Sequence, residues 1–128
     1  MTKRALIIDD NADNVGVLVE MLKLENLEYV AIQNPTQIDS VIADDASFDV
    51  VFLDLEMPHI DGYDMLKKFQ GDSRFESVPI VAYTVHVSEI GVARDLGFHS
   101  FLGKPLDVDK FPEQLKRILN DEPVWVTP

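Results

Sequence analysis

Three carboxylates, one hydroxyl and one amine stand at the ends of four short apolar runs. Ala5-Leu6-Ile7-Ile8 leads into Asp9-Asp10, and Val50-Val51-Phe52-Leu53 into Asp54. Pro79-Ile80-Val81-Ala82-Tyr83 leads into Thr84, and Ser100-Phe101-Leu102-Gly103 into Lys104-Pro105. Short apolar runs bounded by polar residues read as buried parallel strands, and open parallel sheets place their chemistry beyond the carboxyl ends of the strands. The pattern therefore predicts that Asp9, Asp10, Asp54, Thr84 and Lys104 meet at one sheet edge. Three like charges in a partly desolvated pocket repel, and a divalent cation relieves that repulsion. Oxygen ligands with no His or Cys beside them in sequence favour a hard ion, and Mg²⁺ takes a few carboxylates together with water and a phosphate oxygen. A phosphoryl group on a carboxylate would present oxygens to the Lys104 ammonium and the Thr84 hydroxyl. Each residue also has a plainer reading: a helix cap for Asp9 or Asp10, a strand-end hydroxyl for Thr84, a solvated turn lysine for Lys104. Their joint occurrence at four strand ends favours the site.

The elements that must position these groups alternate along the whole chain. After the first strand, Val15, Leu18, Val19 and Leu22 recur at helical spacing, with Asn11 or Asp13 as cap. Residues 28–32 form a short second strand. Pro35-Thr36 opens a second helix with Ile38, Val41 and Ile42 inward, and residues 49–53 form a uniformly apolar, central third strand. Beyond the turn Met57-Pro58-His59-Ile60-Asp61-Gly62, a third helix carries Met65, Leu66 and Phe69 on one face. A fourth strand spans 78–83, a fourth helix 88–96 is stopped by Gly97, and a fifth strand spans 99–102. The last helix begins between Asp107 and Pro112 and buries Phe111, Leu115, Ile118 and Leu119. The expected fold is α/β: a (βα)5 doubly wound parallel five-stranded sheet between two helical layers. Residues 1–120 make one domain. Residues 121–128, with two prolines and Trp125, the sequence's single tryptophan, read as a short disordered or loosely packed tail, or else as a small docking element.

Composition narrows the function classes. The chain has 128 residues, enough for one core, and no cysteine, which excludes disulfides and thiolate metal sites. Its 23 acidic against 11 basic residues give a formal charge of −12, which disfavours direct nucleic-acid binding and suits a cationic partner surface or divalent cations. No apolar stretch reaches membrane-spanning length, so membrane insertion is not expected, and Met1-Thr2-Lys3-Arg4 enters a strand without a secretory segment. A cytoplasmic location is the default expectation.

On Asp9-Asp10-Asn11, the stretch Val51-Phe52-Leu53-Asp54-Leu55-Glu56-Met57-Pro58-His59-Ile60-Asp61-Gly62, Thr84, and Phe101-Leu102-Gly103-Lys104-Pro105, the chain resembles a response-regulator receiver domain. The likeness is to the single-domain kind found in chemotaxis-type and cell-division-type regulators, and it covers about residues 4–120. The resemblance implies a flavodoxin-like sheet of order 2-1-3-4-5 and a phosphoacceptor role for Asp54. It also implies Mg²⁺ held by Asp10, Asp9, Asp54 and the backbone carbonyl of Glu56, a cis Lys104–Pro105 bond, and a phosphoryl group read by Lys104 and Thr84. Thr84 and Phe101 would form the switch, with Phe101 rotating inward. The implied protein is a signalling domain rather than an enzyme, a stand-alone regulator in a two-component phosphorelay. Its phosphoryl donor would be a sensor histidine kinase or a histidine phosphotransfer protein. Its downstream protein target would meet the face made by the fourth helix, fifth strand and fifth helix.

Twenty positions separate Thr84 from Lys104, fewer than is usual in that family, so the shortening falls at or before the fourth helix. Val85 stands where a smaller residue is common, and Glu56, Val85 and His86 occupy positions expected to tune the lifetime of the phosphoryl group. His59 and His99 are not expected to be ligands. Two other functions compete: a scaffold that works without phosphorylation, and an aspartyl-phosphate phosphatase suggested by Asp54-Leu55-Glu56. The latter lacks the expected N-terminal placement of its nucleophile.

Overall fold

In the computed structural model, residues 3–34, 37, 38, 40, 47–57 and 61–126 are described. The strands are β1 (Arg4–Ile8), β2 (Glu28–Ile32), β3 (Val50–Asp54), β4 (Ile80–Thr84), β5 (Ser100–Gly103) and β6 (Trp125–Val126). They form one sheet in the order β2-β1-β3-β4-β5-β6, and every neighbouring pair is parallel. Alternation along each strand serves two cores. Leu6, Ile8, Val51 and Leu53 face one side, where Met65, Leu66, Phe69 and Ala93 cover them. Ala5, Ile7, Val50 and Phe52 face the other, under Val15, Leu18, Leu22, Phe111, Leu115 and Ile118. A strand buried on both faces gains no polar positions, which is why these runs are apolar throughout.

The helices meet the expectations at their ends. Asn11 caps the helix Ala12–Leu24, its side chain accepting from the backbone N–H groups of Asp13 and Asn14. Asp61 caps Gly62–Gln70. A 3₁₀ turn, Val87–Glu89, leads into the short helix Ile90–Leu96, which Gly97 ends at φ +107°, a conformation that favours glycine. Pro112 lies in the first turn of Phe111–Leu119, where its missing N–H costs no helical bond. The second helix expected from Pro35-Thr36 lies largely outside the described residues; Ile38 is buried as anticipated.

Two expectations change. The third, fourth and fifth strands begin one or two residues later than read, so Asp54 and Thr84 are the last residues of β3 and β4. The sheet also has six strands rather than five, because part of the tail is ordered against β5. The Phe101 N–H donates to the Val124 carbonyl at 2.8 Å, and the Val124 N–H donates to Ser100 Oγ at 3.0 Å. Val124 is buried, and Arg94 places its guanidinium 4.7 Å from the Trp125 ring centroid. His99 ties down the start of this return: its ring contacts Ser100 Oγ at 2.8 Å and Asp121 Oδ1 at 3.0 Å. The physical reason is the edge of β5, whose backbone groups the returning chain pairs and covers. Trp125→Ala is expected to lower stability by about 2 kcal/mol through lost apolar burial and the Arg94 contact. Urea unfolding followed by far-ultraviolet circular dichroism checks this; an unchanged midpoint would place Trp125 outside the cooperative fold.

Candidate functional site

β1, β3, β4 and β5 deliver their polar ends to one rim of the sheet. Ile8 pairs with Leu53, Asp54 with Tyr83, and Thr84 with Gly103. That register places Asp9 and Asp10, which follow β1, beside Asp54, and Lys104, which follows β5, beside Thr84. One carboxylate oxygen from each of Asp9, Asp10 and Asp54 lies within 4.8 Å of the others. Asp9 and Asp54 are buried, whereas Asp10 is exposed at the mouth. A close backbone approach fixes the floor: a Cβ on Gly62 would meet Leu55 Cα at 3.0 Å and the Asp54 carbonyl oxygen at 3.2 Å. Only glycine lets that helix start seat beneath the segment leaving β3.

Lys104 bridges two of the acids, its Nζ lying 3.3 Å from Asp9 Oδ2 and 3.5 Å from Asp54 Oδ1. The Lys104–Pro105 bond is cis. Asp9 Oδ1 accepts from the Asn11 N–H at 2.9 Å, and the Glu56 N–H donates to Asp54 Oδ1 at 3.1 Å. Burial raises the Asp54 carboxyl from 3.8 to about 6; Lys104 pulls it down, Asp9 pushes it up, and the Glu56 N–H lowers it slightly. The donors are oxygens, and Asp54 is held against its own ionisation by burial and a neighbouring acid. Such a set fits a hard divalent cation, whose charge would relieve both.

Beside these groups Thr84 donates its hydroxyl to Glu56 Oε1. The same oxygen receives the His86 N–H at 3.3 Å and lies 3.4 Å from His86 Nε2. Thr84, Glu56 and His86 are thus one group, and Val85 between them is half exposed. Phe101 is fully buried, with Trp125 as its register partner on β6, so it already occupies an inward position. The stretch after Thr84 holds the 3₁₀ turn Val87–Glu89 and the seven-residue helix Ile90–Leu96. Tyr63 donates to Glu89 at 2.6 Å, and burial, then Glu89, pushes the Tyr63 hydroxyl above its ordinary range. His59 lies outside the described residues.

Tyr83 is the residue that sequence reasoning missed. Its buried hydroxyl donates to Asp9 Oδ2 at 2.7 Å, and Lys104 Nζ stands 4.4 Å from its ring centroid. Burial, then Asp9, drives that hydroxyl far above the ordinary tyrosine range. A cleft of about 480 Å³, lined by Phe75, Pro79, His99 and Asp121 among others, lies at the opposite ends of β4 and β5 and holds none of these groups.

A parallel α/β sheet thus gathers three acids and a lysine at its carboxyl rim. The chain belongs to the response regulator receiver domain family, whose sequence profile matches residues 5–116. It is 37% identical over 109 residues to stress response regulator protein 1 of Scheffersomyces stipitis, covering 82% of this chain and 37% of that protein. The chain thus spans little more than a third of that relative's length. It is 23% identical to the polar-differentiation response regulator DivK of Brucella ovis, over 94% of this chain and 99% of DivK. Its fold superposes on the chemotaxis response regulator CheY4 of Vibrio cholerae with a TM-score of 0.81 at 22% identity, covering 92% of this chain and 99% of CheY4. The receiver domain of the sensor histidine kinase PA1611 from Pseudomonas aeruginosa, solved with a magnesium ion in its active-site cleft, matches with a TM-score of 0.78 at 22% identity, over 94% of this chain and 99% of that one.

Proposed function

We propose that this protein accepts a phosphoryl group on Asp54 from a phosphohistidine of a sensor histidine kinase or histidine phosphotransfer protein. The observation that carries this reading is the Asp9/Asp10/Asp54 cluster with Lys104 bridging it at the carboxyl rim. Asp10, Asp54 and the Glu56 carbonyl would hold Mg²⁺ with the help of Asp9. When bound, the ion supplies positive charge against the carboxylates and the transferring oxygens.

An Asp54 oxygen attacks phosphorus as the phosphorus–nitrogen bond to the imidazole breaks, and the electron pair leaves with the imidazole nitrogen. The β3 register and the Glu56 N–H fix the orientation of Asp54 for that attack. Lys104 stands within reach of Asp54 and pairs with a phosphoryl oxygen as charge accumulates. Thr84 reaches another oxygen once its hydroxyl leaves Glu56, so Glu56 and His86 set the threshold of that exchange. The outcome is a change of partner at the face built by helix Ile90–Leu96, β5 and helix Phe111–Leu119, on which β6 now lies. Among the described residues no helix is long and apolar enough to cross a membrane, and a cytoplasmic site of action suits the phosphohistidine donors.

Beryllofluoride stands in for the phosphoryl group and tests the site without a kinase. Fluorine NMR is expected to show a bound signal for the wild type that requires Mg²⁺ and vanishes in Asp54→Asn. A signal that survives the substitution, or none in the wild type, contradicts the assignment.

A further inference from the structure

We infer that Tyr83 is a positioning residue of this site, holding the Asp9 carboxylate in the orientation that Mg²⁺ requires. The inference rests on reading the acidic cluster as a Mg²⁺ site.

Tyr83 lies on β4 one residue before Thr84 and is 1% exposed. Strand alternation sends these neighbours to opposite faces. Thr84 meets Glu56, while Tyr83 lies in the core on the side of Phe52, whose ring it meets edge-on at 6.3 Å between centroids. Its side chain is thereby fixed, and its hydroxyl reaches the Asp9 carboxylate, which is wholly buried. Asp9 is then gripped from two sides. The Asn11 N–H holds Oδ1, and the Tyr83 hydroxyl holds Oδ2. A carboxylate pinned at both oxygens cannot rotate, and donors behind a metal ligand or its water partner are what keep such a group oriented.

Lys104 cannot take over this task. Its ammonium is shared among Asp9 Oδ2, Asp54 Oδ1 and the face of the Tyr83 ring. A cation drawn toward a phosphoryl oxygen gives up part of its hold on Asp9, whereas among the described residues the tyrosine hydroxyl bonds to Asp9 alone. Tyr83 therefore keeps Asp9 in place while Lys104 is redistributed, and its ring offers the ammonium a neutral seat beside both acids.

Tyr83→Phe isolates the hydroxyl, since it retains the ring, the packing on Phe52 and the seat under Lys104. Calorimetric titration with Mg²⁺ is expected to give a dissociation constant about tenfold higher than that of the wild type, with the far-ultraviolet spectrum unchanged. A residue that only fills the core would leave the constant within about twofold, and that result overturns the inference, as does tighter binding. Should the variant not fold, the wild type carries the test: the Tyr83 hydroxyl proton, observed by NMR, shifts with Mg²⁺ along the calorimetric isotherm. An unmoved resonance contradicts the inference. Wild type that takes up no Mg²⁺ removes the metal-site reading itself and this inference with it; wild type that binds normally beside an unaffected Tyr83→Phe removes only the inference.

Discussion

Asp54→Asn is expected to make the metal-free protein more stable at neutral pH by about 2–3 kcal/mol. The Asp54 side chain is buried, and its carboxyl is raised from 3.8 to about 6. Burial is the main cause, and the attraction of Lys104 is already counted against it. In the unfolded chain the group ionises around 3.8, so below that pH it is protonated in both states and costs nothing. Between about 3.8 and 6 only the unfolded chain ionises, so the folded state loses stability across that window, and above about 6, where both states are ionised, the loss is complete. Asparagine keeps the shape and never ionises, so its advantage is full at neutral pH and disappears toward pH 4. Urea unfolding in a chelating buffer across that interval measures it. An advantage that is absent or independent of pH would show that Asp54 ionises without strain. Excess Mg²⁺ should narrow the gap by binding the wild type more strongly. A residue whose ionised form destabilises its own fold suits the role of nucleophile and ligand proposed for Asp54.

Lys104→Met is expected to act in the opposite direction and to cost about 3 kcal/mol without metal, because it leaves buried acids facing each other with no cation. Lys104 is the only side chain seen to bridge Asp9 and Asp54 among the described residues. Lys104 pulls the Asp54 carboxyl down, so removing it favours the protonated form of Asp54, and the loss is greatest at neutral pH and shrinks as pH falls toward 4. Mg²⁺ supplies charge to the same acids, so it should restore much of the stability but none of the hold on a phosphoryl oxygen. Thermal and urea unfolding with and without the ion separate these roles. A loss unaffected by either acid or Mg²⁺ would make Lys104 a packing residue, its long stem rather than its charge being what matters.

How much of this was open to reading from the sequence depends on the distance over which each signal acts. Strand endings such as Leu53-Asp54 and Tyr83-Thr84 are local contrasts between apolar run and polar stop, so they were legible to within two residues. Parallel pairing then dictates the rest of the rim. Tyr83 was not legible, because a tyrosine closing an apolar run looks like core filling and its hydroxyl partner is Asp9, far away in sequence. The bond from Thr84 to Glu56 is hidden for the same reason. The sixth strand escaped because Trp125–Val126 is too short to display an alternation. Its run of Val-Trp-Val was the available clue, since β-branched and aromatic residues suit a sheet edge.

The central claim is the acceptor role of Asp54, and covalent capture tests it most directly. The protein is incubated with Mg²⁺ and a small phosphodonor, and its intact mass is recorded before and after borohydride reduction, with the modified peptide mapped. A single acid-stable, base-labile phosphate is expected, converted by reduction to homoserine at position 54 and missing from Asp54→Asn. An adduct at another residue, or an undiminished adduct in Asp54→Asn, would contradict the account.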